Sequence, residues 1–220
     1  MNVDTRKTAH ALGRLKEVVF HAGSVKAYED VLEWARMQEL SGLESGAALA
    51  AADVDEAEAD FNRMCIGPYR LCVPPYESVW RSKGRVLNNR YSATVLYTIN
   101  ELGLSINRDF NELPDFFGHE IELIYFLLAV AEGNHAGGDE VLARELDLIA
   151  EQFWAEHLGH WAFDFLDALH DNASHDFWKA WAQALKAVLA ERFGEVELSP
   201  YLSGLESVVS MPTSLKEENK

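Results

Sequence analysis

PDFFGHEIELIYFLLAVAEG, residues 114–133, decides the fold class. Phe117, Ile121, Ile124 and Leu128 recur at helical spacing along one face, and Pro114 suits the first turn of such a helix. A long apolar helix is therefore expected to run until Gly133, with Gly137-Gly138 opening the next connection. Downstream, Leu142, Leu146, Ile149 and Phe153 begin a further helix, and His157, Trp161 and Phe165 continue its row past a kink or interruption at Gly159. Trp178, Trp181, Leu185 and Val188 mark its successor.

Upstream, residues 90–102 are helical in pattern with Gly103 as the stop. Residues 67–89 hold Pro68, Pro74, Pro75 and Gly84 and read as an ordered loop with one helical turn. Asp53 and Glu56 resemble a capping box ahead of the stripe Val54, Ala57, Phe61, Met64, which Gly67-Pro68 must end. Two amphipathic helices open the chain, on Leu12, Leu15, Val19 and on Val25, Tyr28, Leu32, Ala35, the second capped by Ser24. Strand signals shrink to the short alternation Leu104, Ile106. The expectation is an all-α, single-domain helical bundle over residues 1–198, with residues 199–220 as a docked or disordered tail. Loops are short except at 67–89 and 103–113, and long loops in a compact domain tend to carry function.

The 220 residues include 19 Lys and Arg against 36 Asp and Glu, a net charge of −17. Such a field repels nucleic acid, which requires clustered basic groups, and steers basic peptides inward. A 48% hydrophobic, 25% charged composition supplies a core and excludes wholesale disorder. Cys65 and Cys72 are too few for a disulfide scaffold, which points to a reduced, cytoplasmic setting. The first twenty residues lack the apolar core of a signal peptide, and no stretch approaches the roughly 20 apolar residues of a membrane span.

Local chemistry is sparse. Glu132 and His135 have the Glu-x-x-His spacing of a carboxylate-bridged metal bundle, but no second copy exists. His157 and His160, with Glu156, could form a metal corner on one helix; His157 also shares a row with Phe153 and Trp161, as a packed histidine would. Asp115, His119 and Glu122 fall at i, i+4, i+7, suited either to acid–base work or to a solvated helix face. Ser78 lies in no nucleophile elbow, neither cysteine has a basic neighbour that would activate it, and no glycine-rich phosphate loop is present. What stands out is FNRMCIGPYRLCVPPYESVW, residues 61–80, whose aromatics beside acidic groups suit an apolar peptide with basic flanks, or else seal the core beneath a loop.

Residues 64–80 resemble the TorD/DmsD/NarJ family of redox-enzyme maturation chaperones, in the order Gly-Pro, a short run, then Pro-Pro-aromatic-x-Ser-Val-aromatic. Residues 111–133 are similar to the acidic-Pro-Asp segment that leads into the family's long apolar helix, and residues 153–169 to its His-Leu-x-x-Trp helix. The resemblance implies an all-helical cytoplasmic chaperone without a catalytic site or cofactor of its own. Its partner would be the precursor of a molybdenum- or tungsten-dependent oxidoreductase, held by its twin-arginine leader and as the apo subunit during cofactor insertion. Molybdopterin guanine dinucleotide or GTP would be weak ligands, and the state a monomer or a segment-exchanged dimer hinged near residues 133–139.

Carried over by motif, Phe61, Met64, Cys65, Tyr69, Tyr76 and Trp80 form an apolar wall, and Pro114 with Asp115 its polar end. Asp115 is the expected partner of a leader arginine, with Glu77 second. The chain departs from the family pattern at Phe116, where a histidine is usual, and His119 lies one helical turn on. A second hypothesis is an α-helical metal-dependent enzyme using His119, Glu122, His157 and His160.

Overall fold

Residues 3–67, 71–107 and 110–202 are described by a computed structural model, and in them the apolar stripes become helices. In chain order these are α1 (Val3–Leu15), α2 (Glu17–Phe20), α3 (Val25–Met37), α4 (Ser41–Ala52), α5 (Val54–Phe61), α6 (Glu77–Arg81), α7 (Arg90–Glu101), α8 (Phe117–Gly137), α9 (Glu140–Glu156), α10 (Ala162–Asn172) and α11 (Asp176–Phe193). A π-helical turn, Asn62–Ile66, extends α5, and a 3-10 turn, Leu158–His160, separates α9 from α10. No strand occurs among the described residues beyond one isolated antiparallel bridge, Tyr76 with Phe116.

The core is built on tryptophan. Trp154, Trp161, Trp178 and Trp181 are sealed from solvent, and the indole N–H groups of the last three find acceptors. Trp178 donates to the Ala57 carbonyl at 2.8 Å and Trp181 to the Leu15 carbonyl at 2.9 Å, which ties α11 to α5 and to the end of α1. Helix α1 packs against both α8 and α11, while α11 also meets α4 and α10. Expected caps form: Ser24 accepts from the Ala27 amide at 3.4 Å and Asp53 from the Glu56 amide at 3.3 Å.

Helix α4 has no counterpart in the sequence reading. Its sequence, SGLESGAALAAA, is too rich in small residues to show a stripe. Smallness is what it contributes: a Cβ at Gly46 would lie 2.8 Å from the Phe177 Cα, so only glycine lets α4 approach α11 this closely.

Two expected boundaries are corrected. Gly133 does not end α8, which continues to Gly137; open space surrounds Gly133, and the turn belongs to Gly138, at a left-handed φ of 87°. Pro114 lies before the helix instead of in its first turn. The Asp115 carbonyl and the Phe117 amide are taken by Glu77 and Pro75, so α8 starts only at Phe117. At Gly159 the interruption occurs as expected, since a side chain there would strike Trp154 and Leu198. Of the expected tail, Ser199 docks by donating its amide to the Ala155 carbonyl at 2.9 Å, and residues 203–220 lie outside the described residues.

Gly46→Val is expected to lower stability by about 1–3 kcal/mol through overpacking against α11. Gly133→Ala, in an open helical position, is expected to raise it by about 0.5–1 kcal/mol. Urea titration of the two variants checks both signs.

Candidate functional site

The two long loops meet at one junction. The Glu77 amide donates to the Asp115 carbonyl at 3.1 Å, and the Phe117 amide to the Pro75 carbonyl at 2.9 Å, so residues 75–77 and 115–117 pair like strands. Asp115 Oδ2 then accepts the Ser78 amide at 2.8 Å. That carboxylate caps α6 from a distant segment, replacing the local cap that Tyr76 cannot provide.

Beneath α6 lies a polar cluster sealed in the core. Glu77, Asp115 and Glu120 have no solvent exposure, and His157 almost none. Glu77 is ion-paired with Arg81 and takes His157 Nδ1 at 2.9 Å, while Arg81 also donates to the Glu156 carbonyl at 2.6 Å. Glu120 Oε2 accepts the Trp161 indole N–H at 3.1 Å. Burial, then the Glu77 and Asp115 carboxylates, push Glu120 well above the usual carboxylate range, so it is held as the neutral acid hydrogen-bonded to Glu77.

Beyond the junction an apolar furrow opens beside α2. Phe20 and Phe110 pack with ring centroids 5.0 Å apart, and a hollow lies on each side of this pair. The larger, about 310 Å³, is floored by Phe20, Ile99, Leu104, Ile106 and Leu123 and edged by Phe126, Glu17, His21, His119 and Glu122. The smaller, about 220 Å³, is walled by Phe61, Phe116 and Ile66, with Glu58 and Glu112. Among the described residues Lys16 is the one basic side chain other than histidine that lines either hollow, and it is already engaged by Glu17 and by Glu122, the latter at 2.6 Å. Burial alone would lower the Lys16 ammonium, but these two carboxylates outweigh it and hold it above its ordinary value. The rim is thus acidic and the floor apolar.

His119 sits on this wall against Phe20 and Phe116, with centroids at 5.7 and 5.5 Å. Its Nδ1 lies 2.9 Å from the Leu113 carbonyl and must donate to it, which fixes Nε2 as the acceptor. Burial lowers the ring's pKa, keeping it neutral, and Nε2, itself buried, has no partner among the described residues.

The expected peptide-binding residues divide accordingly. Phe61, Phe116 and His119 line the hollows, and Tyr76 stands beside them, its hydroxyl donating to Glu112 at 2.5 Å. Met64 and Cys65 are fully buried in the core. Trp80 turns the other way, donating to the Pro74 carbonyl at 2.7 Å with its ring edge against Phe165. Pro114 is half-buried in the turn before α8, and Tyr69 lies outside the described residues. Asp115 and Glu77, expected at the arginine-facing end, are sealed in the junction and line neither hollow. A carboxylate beside Pro and a long helix reads alike as a ligand's partner or as a cap, and only the pairing of the two loops decides between them.

Phe20, Phe110, Phe126 and Glu112 were missed by motif; the length of the 103–113 loop was the signal that pointed to this region. The metal reading finds no geometric support. His157 is committed to Glu77, His160 Nε2 lies 2.8 Å from the Ser199 carbonyl, and Glu122 holds Lys16. Among the described residues no group of three or more His, Cys, Asp or Glu side chains is placed to hold a metal ion.

The sequence model of the family described as Nitrate reductase delta subunit matches residues 26–167, more than half of the chain. The chain belongs to this family. Its relatives in the family include the protein named Tat proofreading chaperone DmsD from Salmonella paratyphi A and from Salmonella typhimurium. Each is 31% identical over 131 residues, an alignment covering 60% of this chain and 57% of the relative. The match therefore spans a little over half the length of those proteins. The junction and the furrow residues from Phe61 to Phe126 fall inside the family match, while α1 and α2, with the furrow's Lys16, Glu17 and Phe20, precede it.

Because the Glu120 pKa is raised on folding, its contribution is complete below the usual 4.5 and is lost as pH rises through the folded value. Wild type is thus expected to lose stability above pH 4.5 relative to Glu120→Gln, by about 1.4 kcal/mol per pH unit between the two values. Urea titrations across pH measure this, and parallel curves would contradict a neutral Glu120.

Proposed function

We propose that this chain is a maturation chaperone that binds the twin-arginine leader, the apo catalytic subunit, or both, of a molybdenum- or tungsten-dependent oxidoreductase. It acts in the cytoplasm, assists cofactor insertion, delays export and catalyses no reaction of its own. The observation that carries the reading is the furrow: an apolar floor around Phe20 and Phe110 with Glu17, Glu58, Glu112 and Glu122 on its edges. A leader that is basic and then apolar has the complementary order. The furrow's aromatic floor supplies contact area and its rim pairs guanidinium groups.

Family membership and the name borne by the Salmonella relatives support the same reading. Among the described residues no helix is long and apolar enough to cross a membrane, so delivery to export machinery would be by contact. Among the described residues the furrow's edge is acidic and its one lysine is engaged, which argues against this site as the seat of GTP or molybdopterin guanine dinucleotide, whose phosphates need free cations.

Calorimetry with a peptide carrying two arginines followed by a leucine-rich run tests the proposal. Phe20→Ala and Phe126→Asp are each expected to weaken binding about tenfold or more, as losses at an aromatic anchor do. Unchanged affinity in both variants, or equal binding of a peptide with both arginines replaced by glutamate, would overturn the assignment.

A further inference from the structure

The charge of this chain is unevenly spread. Residues 78–100 contain Arg81, Lys83, Arg85 and Arg90 and no Asp or Glu, so all 36 acidic residues lie outside this segment. Its tip, residues 82–88, is an exposed loop that carries two aliphatic side chains into solvent: Val86 is 54% and Leu87 49% exposed. The loop is held in this shape. Ser82 Oγ accepts the Val86 amide at 2.8 Å, and Asn89 Nδ2 donates to the carbonyls of Val86 and Ser78 at 2.8 and 3.2 Å. Arg85 and Asn88 adopt left-handed backbone angles, φ 50° and 54°, that non-glycine residues rarely take. Arg85 also rests over the Trp80 ring at 5.6 Å.

In sequence the tip reads Lys83-Gly-Arg85-Val86-Leu87, basic and then apolar. That is the order of charge and apolarity for which the furrow is built. Within one molecule the two are kept apart by α7, which rises about 14 Å between Arg90 at the loop and Ile99 in the furrow. We propose that the 82–88 loop of one copy docks in the furrow of a second copy, Val86 and Leu87 on the apolar floor and Lys83 and Arg85 on the acidic rim. Reciprocal insertion closes a two-fold dimer whose furrows are both filled, so a leader peptide must displace the loop to bind. The long-range repulsion between two copies of charge −17 is screened at physiological salt, where the Debye length is about 8 Å, while the docked charges are in contact. This inference rests on the furrow's binding a basic-apolar peptide, as proposed above.

Sedimentation velocity on the full chain over a concentration series tests it, with the loop variant V86D/L87D and the furrow variant F126D. Wild type is expected to dimerise reversibly and each variant to stay monomeric. An equimolar mixture of the two variants, which pairs one intact loop with one intact furrow, is expected to associate. The diarginine, leucine-rich peptide should dissociate the wild-type dimer and bind the loop variant about tenfold more tightly than wild type. A monomeric wild type at every concentration overturns the proposal, as does a loop variant that dimerises like wild type, the result expected of segment exchange at residues 133–139. If the variants abolish association and their mixture restores it while the peptide binds none of them, the loop contact stands and the leader-binding assignment falls.

Discussion

Asp115 spends its carboxylate on a single backbone amide. With Oδ2 on the Ser78 N–H and its own carbonyl on Glu77, it fastens the start of α6 to the approach of α8. Helix α6 has only five residues, far too few to persist alone, because helix nucleation costs more than one turn returns. Its position is therefore imposed from outside, by Asp115 at the N-terminus, by His157 on Glu77 and by the Glu156 carbonyl on Arg81. Everything that follows in the 111–119 segment inherits this anchorage. Phe116 is the partner of Tyr76 in the bridge, and His119 stands on the first turn of the helix that the bridge delays. The furrow's wall is thus set by a hydrogen-bond pattern two residues long.

The same junction concentrates charge where water is absent. Three carboxyl groups are buried here while the one guanidinium, Arg81, pairs with Glu77 alone, and buried anions without compensation are costly. The chain resolves this by keeping Glu120 protonated. In that form it accepts from Trp161 and donates toward Glu77, linking α8 and the loop before α10 to the α6 junction. Partial satisfaction remains: Asp115 Oδ1 and His157 Nε2 have no partner within the protein. Polar networks of this kind fix one arrangement of their surroundings more than they add stability, which suits a site whose walls come from three distant parts of the chain.

Much of this was legible in the sequence. Apolar spacing placed the helices around Val25, Arg90, Leu142 and Trp178, and glycine and proline marked residues 67–89 and 103–113 as the loops to watch. Helix α4 escaped because alanine and glycine carry no stripe, although Gly46 is where close packing was arranged. Gly133 misled because a lone glycine in an open helical position costs little, and termination needed the left-handed Gly138. Of the residues named by motif, Phe61, Phe116 and His119 line the hollows. Asp115 and Glu77, also named by motif, lie buried in the junction, and spacing along the chain does not reveal that an amide 37 residues away needs a cap. Phe20 and Phe110, 90 residues apart, form the furrow's centre only through tertiary contact.

Amide hydrogen exchange on the wild-type chain, with and without the diarginine, leucine-rich peptide, addresses the central claim that the furrow beside α2 is where a client peptide sits. Bound peptide is expected to slow exchange in α2, in the 104–107 segment and in the first turns of α8, with the buried α6 junction already protected in both states. Protection that instead appears around Trp80 and the α10–α11 face, leaving α2 and the 104–107 segment unchanged, would contradict it.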